Sequence, residues 1–141
     1  DIIIHRFDHR TPGSTHGHHS SSAILSKLAF DLAGNPNAYP EQLKTVSVWQ
    51  PKRQFYNTSW WAYGSREKFE QADKTNMITI ESNPMDLVLG RTNAEVAAKS
   101  RSQHKSQGFG SSPEFGSQEE YLELMKDFGE KIKKEIIKRD K

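Results

Sequence analysis

Ile2, Ile3 and Ile4 form an unbroken β-branched run, followed by a loop dense in chain breakers and then by an apolar-periodic helix. That order limits the possible folds more than any other feature of the sequence. A branched run without polar alternation is what a strand covered on both faces of a parallel sheet requires. It predicts a strand over residues 1–4, ending near His5. Thr11, Pro12, Gly13, Ser14 and Gly17 make residues 6–19 a loop. Ser20 has the chemistry of an N-cap for a helix over residues 21–32, in which Ala23, Ile24, Leu28 and Leu32 recur at helical spacing before Gly34. Strand, loop and helix together are half of a βαβ unit, so the fold class read here is α/β.

Further along, Thr45 to Trp49 alternates and predicts the next strand, and Phe55 and Tyr56 open another extended segment. Ser65 suits the cap of a short helix over residues 66–72, and Met77 to Ile80 reads as a strand. Thr92-Asn93-Ala94-Glu95 is a capping-box pattern, starting a helix expected to run to about Gln107. After a Gly/Ser/Pro loop over residues 108–116, Ser117 to Glu120 repeats the pattern. It predicts a last amphipathic helix with Leu122, Met125, Ile132 and Ile136 on one face.

Apolar residues make up 33% of the 141-residue chain, against a usual ~45–50%. The core is therefore expected to be thin, or to be completed by residues outside this chain. The second option suits a sequence that opens at Asp1, directly on a core-type strand, and the chain reads as part of a longer domain. The net charge is only +2 and the lysines are spread out, which argues against a nucleic-acid surface. No stretch approaches the ~20 apolar residues of a membrane span. The absence of cysteine excludes disulfides and thiolate metal ligands.

Five of the six histidines fall within the first nineteen residues, three of them in Thr15-His16-Gly17-His18-His19. This segment follows a parallel-type strand and precedes a helix, where open α/β sheets bind their ligands. Neutral imidazole is the commonest metal ligand near neutral pH, and catalytic zinc usually takes three protein ligands and leaves one position open. A solvated histidine loop is the plain alternative. An expression-tag remnant is disfavoured, because the histidines are interrupted and run straight into an amphipathic helix.

At this point the sequence resembles the LmbE/PIG-L family of zinc-dependent N-deacetylases. That family carries a His-Pro-Asp-His motif after a strand and before a helix rich in small residues, where this chain has His16-Gly17-His18-His19 followed by Ser20-Ser21-Ser22-Ala23. A helix-ending His-x-Ser/Thr-Gln pattern is matched by His104-Lys105-Ser106-Gln107. The resemblance covers residues 1–110, read as the C-terminal half of the deacetylase domain. Residues 111–141 read as a loop plus helix extension. It implies a partial Rossmann-like three-layer fold and removal of an N-acetyl group from a GlcNAc-type sugar or glycoconjugate, with Zn2+ as cofactor.

By resemblance, His19 is a zinc ligand, and protonated His16 stabilises the oxyanion or assists the leaving amine. His18 stands where the family has an Asp that tunes the neighbouring imidazole, so that task is altered here. The family's His-Pro-Asp-Asp motif, which supplies two further ligands and the general base, does not occur in this sequence. The chain alone is accordingly expected to be inactive and to bind zinc weakly, its partner being the missing N-terminal half of the same domain. An extracytoplasmic setting would suit a glycoconjugate substrate.

Four further residues have two readings each. Asp8 either hydrogen-bonds a ligand imidazole from behind or forms a turn. Arg6 either meets a sugar hydroxyl or phosphate or makes a surface ion pair. Trp60 and Trp61 either wall a sugar site or pack in the core, with packing favoured for one of them. His104 is expected to hold its helix end rather than to bind metal. The rival to the enzyme is a non-catalytic carbohydrate-binding module using Trp60 and Trp61, with the histidines as a relic.

Overall fold

The computed structural model describes residues 1–11, 13–107 and 119–128. Two compact units divide the chain, Asp1–Ile78 with Leu122–Lys141, and Thr79–Tyr121. The protein is mixed α/β. The main sheet has the order β1-β2-β6-β3, with β1 at Ile2–His5, β2 at Arg53–Thr58, β6 at Glu119–Asp127 and β3 at Met77–Glu81.

β1 and β2 are parallel, in a register that runs from Ile2 opposite Arg53 to His5 opposite Tyr56. The chain crosses between them through helix α1, Gly17–Ala33, so the βαβ unit expected from the isoleucine run is present. Its details differ from the sequence reading. β1 is an edge strand, and Ile2 and Ile4 are about half exposed rather than covered on both faces. The helix begins four residues before the expected Ser21. His16 is its N-cap and Ser20 is a buried residue one turn inside. Nothing in Gly17-His18-His19 forbids helical backbone, and the amides of His19 and Ser20 close onto the His16 carbonyl at 2.9 and 3.1 Å.

Gly34 ends α1 with φ −86°, an ordinary right-handed value. A Cβ there would lie 1.8 Å from Gln50 Oε1 and 2.7 Å from its Cδ, so a larger residue would displace the Gln50 amide. That approach lets Gln50 Nε2 donate to the Phe30 carbonyl at 3.0 Å and the Pro51 carbonyl at 3.1 Å, tying the helix end to the lead-in of β2.

The expected strand over Thr45 to Trp49 is absent. The amides of Thr45 and Val46 both turn back onto the Gln42 carbonyl at 3.0 Å, and Val46, Val48 and Trp49 are exposed. The place beside β1 belongs to Arg53–Thr58, whose residues are almost all buried. Phe55 and Tyr56, read only as an extended segment, are the core of that strand.

The largest departure is at the C-terminal end. The helix expected over Leu122 and Met125 is strand β6, with Leu122 buried. Ile132 and Ile136 lie outside the described residues. Phe128 donates to the Lys52 carbonyl at 2.9 Å, so the end of β6 meets the start of β2 and the two run antiparallel. The cluster of Tyr121, Leu122, Leu124 and Met125 satisfies either period, and the slot between β2 and β3 decides for the strand. Phe30, fully buried on α1, stacks on Phe128 at 5.5 Å and 6°. Lys126 pairs with Asp31 of the same helix, and Arg53 with Asp127 at 3.4 Å.

Trp60–Tyr63 is a short 3-10 turn closed by Gly64 at φ 83°, a left-handed conformation that glycine adopts without strain. Ser65 accepts from the Lys68 amide and caps helix α2, Arg66–Gln71, as expected from the sequence.

In the second unit, β4 at Met85–Asp86 pairs antiparallel with β5 at Arg91–Thr92. Asp86 Oδ1 accepts from the amides of Val88 and Leu89 at 2.8 and 2.9 Å, which shapes the turn. The Thr92–Glu95 capping box forms in full and starts helix α3, Asn93–Arg101. That helix stops six residues short of the expected Gln107. His104 lies beyond its end, with Nδ1 3.3 Å from the Arg101 carbonyl.

Candidate functional site

The loop from β1 to α1 emerges at the carboxyl end of the parallel β1–β2 pair. His16, His18 and His19 are brought together there by the first turn of α1. Ring centroids lie 4.0 Å apart for His18 and His19, 5.5 Å for His16 and His19, and 5.7 Å for His16 and His18. His16 and His18 are exposed, and His19 is partly covered.

His19 is the one that is held. Its ring lies flat on Phe7, with centroids at 3.8 Å and planes 5° apart. Its Nδ1 is 3.1 Å from the Thr15 hydroxyl. When Nδ1–H donates to Thr15, Nε2 carries the lone pair, the state that a metal or a proton donor needs. Desolvation, then the neighbouring His18 and His16, hold the His19 pKa below the usual imidazole range. A zinc ligand must be neutral, so this shift and the engaged Nδ1 both fit His19 as one donor. The three rings do not form a complete metal site by themselves. Among the described residues, no group of three or more His, Asp or Glu side chains is disposed to hold an ion.

Asp8 does not support these imidazoles. Its Oδ1 accepts from the Arg10 amide at 2.8 Å, a turn-forming contact, and both oxygens accept from Arg10 Nε at 2.9 and 3.0 Å. Arg10 spans on to Glu123 of β6 through two N–H···O bonds of 2.8 Å. Burial opposes ionisation of Asp8, but the Arg10 hydrogen bonds and charge outweigh it and hold the carboxyl below its ordinary range. The Arg10 guanidinium is raised by Glu123 first and Asp8 second, so it stays charged at any working pH.

Arg6 donates to Asn57 Oδ1 at 2.6 Å and to its carbonyl at 3.2 Å, and lies over the Trp61 ring at 5.2 Å. Trp60 is 44% and Trp61 42% exposed, so neither is a core residue. Trp60 carries Arg66 over its face at 5.3 Å.

Several polar residues in this region were not singled out by sequence. His5, 8% exposed, ends β1 and stacks on Tyr56 at 5.7 Å and 20°. Its Nδ1 donates to the Phe7 carbonyl at 2.7 Å, which fixes the tautomer and leaves Nε2 buried with no protein partner among the described residues. His9 Nδ1 and Ser20 Oγ are buried in the same way. His9 Nδ1 is 3.9 Å from Asp8 Oδ1, beyond hydrogen-bond reach. The signal for His5 was its place as the last residue of a parallel strand.

Burial first, then Lys27, lowers the His9 pKa against the opposing pull of Asp8. This gives a pH dependence. Above the ordinary imidazole value of 6.5, His9 and His19 are neutral in both folded and unfolded chains. Below it, the unfolded chain takes up protons that the native fold resists, so stability falls as pH falls. Chemical denaturation between pH 7.5 and 5 is expected to show this loss, and His9→Gln to reduce it. An unchanged slope in His9→Gln would remove His9 as a cause.

Beside the imidazoles lies a cavity of about 210 Å³ lined by Phe7, Asp8, Thr11, Ser14, Thr15, Tyr56, Trp61 and Ala62. Burial pushes the Tyr56 phenol up, with the Thr58 hydroxyl opposing, so Tyr56 remains a neutral donor and acceptor. Compared with known proteins, the chain matches no family model, no curated sequence and no solved structure.

Proposed function

We propose that the chain is part of a zinc-dependent amide hydrolase of the LmbE/PIG-L type, within a Rossmann-like α/β layer fold, acting on an N-acetylated amino sugar or glycoconjugate. The observation that carries this reading is His19: an imidazole at the carboxyl end of a parallel strand, clamped by Phe7 and bonded through Nδ1 to Thr15, with Nε2 left over. Fixed ring orientation with one nitrogen engaged is how protein histidines are prepared as metal ligands.

In this reading His19 Nε2 holds one position on zinc, and the remaining ligands and the general base come from a His-Pro-Asp-Asp segment that this sequence lacks. When bound, zinc supplies a polarised carbonyl and a water whose pKa is lowered toward ~7. His16, exposed at the N-cap of α1 beside His19, donates a hydrogen bond to the oxygen that gains negative charge. His18 crowds His19 at 4.0 Å and disfavours its protonation, the opposite of what a carboxylate in that place does, so the tuning role of the family's Asp is changed here. No helix among the described residues is long and apolar enough to cross a membrane.

The test is zinc content and hydrolysis of GlcNAc-type amides by the protein carrying both motifs, as wild type and as His19→Ala. The expected result is loss of zinc and of activity together, the latter by at least ~100-fold. Full zinc and activity in the variant would show that His19 is not a ligand. A wild type with no hydrolysis would favour the binding-module reading, for which half-exposed Trp61 is the specific support.

A further inference from the structure

We infer that the β4–β5 turn of one copy of the chain seats its aliphatic tip in an uncharged groove of a second copy, between the end of α1 and residues 39–49. The tip is unusual for a turn, where Gly, Asn, Asp and Ser dominate because each serves the backbone. Here that service comes from the flanks. The Asp86 carboxylate accepts from the amides of Val88 and Leu89, its carbonyl accepts from the Gly90 amide at 2.8 Å, and Gly90 takes φ 61°. Leu87, Val88 and Leu89 lie between them, with Leu87 89% and Val88 94% exposed. The base of the turn is fastened to α3: the Asn93 amide donates to the Pro84 carbonyl at 3.2 Å, and Asn83 Oδ1 accepts from the Ala94 amide at 2.8 Å. Three aliphatic side chains are thus held in water by a turn that does not need them for its own fold.

The groove belongs to the first unit. It holds about 220 Å³ and is lined by ten residues between Leu32 and Trp49. None of the ten is charged, in a chain of which 27% is charged. Leu32, Tyr39, Leu43, Val46, Val48 and Trp49 give it apolar walls, each 36–57% exposed. Backbone bonds hold those walls in place. The Val46 amide donates to the Gln42 carbonyl at 3.0 Å and the Trp49 amide to the Ala33 carbonyl at 3.4 Å.

Size and charge name the occupant. The groove is smaller than the ~300–1,000 Å³ of sites for drug-sized ligands and suits the side chains of a narrow tip rather than a whole helix face. Interface cores are depleted of charge, and neither surface brings any. Residues 87–90 carry none, and beside the groove Glu41 pairs with Lys44 and Asp31 with Lys126. No like charge on these surfaces therefore opposes a second copy. A convex apolar patch and a complementary pocket on one chain make a heterologous contact, which passes from copy to copy until the geometry closes it. The inference does not rest on the deacetylase reading.

The test is sedimentation equilibrium of the full chain from about 10 µM to 1 mM, since so small a contact is weak. The mass is expected to rise above that of the monomer with concentration. Val88→Glu charges the tip and Val46→Glu charges the groove, each at a position more than half exposed, with circular dichroism to check the fold. Ser47→Phe fills the groove from an exposed position without a charge, and takes the place of Val46→Glu if that variant unfolds. Each variant alone is expected to weaken association at least about tenfold. An equimolar mixture of the tip variant and the groove variant is expected to form a 1:1 pair, because one brings an intact groove and the other an intact tip. Recovery on mixing supports the inference. A monomeric wild type overturns it and leaves the groove to a different protein or a small apolar ligand. Association that survives the tip variant or the groove variant, which means groove-to-groove or tip-to-tip contact, overturns it too, as does a mixture that stays monomeric.

Discussion

Replacing Phe30 with alanine is expected to destabilise the first unit by about 3–5 kcal/mol, the range for deleting a buried aromatic from a core. Phe30 is fully buried. It is also where three segments meet: its ring stacks on Phe128 after β6, the Lys126 ammonium lies 5.5 Å over its face, and its carbonyl receives Gln50 from the approach to β2. A core built on 33% apolar residues has few alternatives with which to refill the void. Phe30→Leu should retain about half the loss, since volume is partly conserved. Urea denaturation checks both values. A loss under ~1 kcal/mol for Phe30→Ala would mean that the helix does not depend on this contact for its position.

The second large effect is expected at Arg10. Arg10→Met removes two forked ion pairs at once and leaves Asp8 and Glu123 facing one another, each with a side chain about four-fifths covered. A buried pair broken from one side can cost 3–5 kcal/mol. The Arg10 side chain is 43% exposed, so water screens the loss, and about 1–3 kcal/mol is the expected range. Arg10→Lys should recover less than half of it, because a single ammonium cannot bond two carboxylates with paired donors. Adding Glu123→Gln to Arg10→Met should restore part of the loss by removing the uncompensated charge. Simple additivity of the two substitutions would mean that the bridge from loop to strand is not a coupled unit.

The strands and helices that local chemistry dictates were legible in the sequence. The isoleucine run, the Ser65 cap and the Thr92–Glu95 box each formed their elements, because a cap needs only residues three apart. What depended on partners far along the chain was not. Thr45 to Trp49 has strand-like alternation but no neighbour to pair with, and Leu122 and Met125 have helix-like spacing but lie in a sheet slot. The histidine turn could be read because its residues are contiguous, while His5, Tyr56 and Arg10 acquired their places only when β2 and β6 came alongside. Asp8 shows the limit: its neighbours in sequence include two imidazoles, yet Arg10 takes both of its oxygens.

The position of β6 has a consequence for how the chain is made. A strand from residues 119–127 fills the gap between β2 and β3, so these two partners are synthesised long before the piece that joins them. While the protein emerges from the ribosome, β2 has β1 on one side and an open row of backbone donors and acceptors on the other. Non-local pairing of this kind is slow, since a long loop must close before any bond forms. The growing chain therefore carries an open strand edge until residues 119–127 have been threaded into place. Early release of the nascent protein would expose a surface that the finished fold conceals.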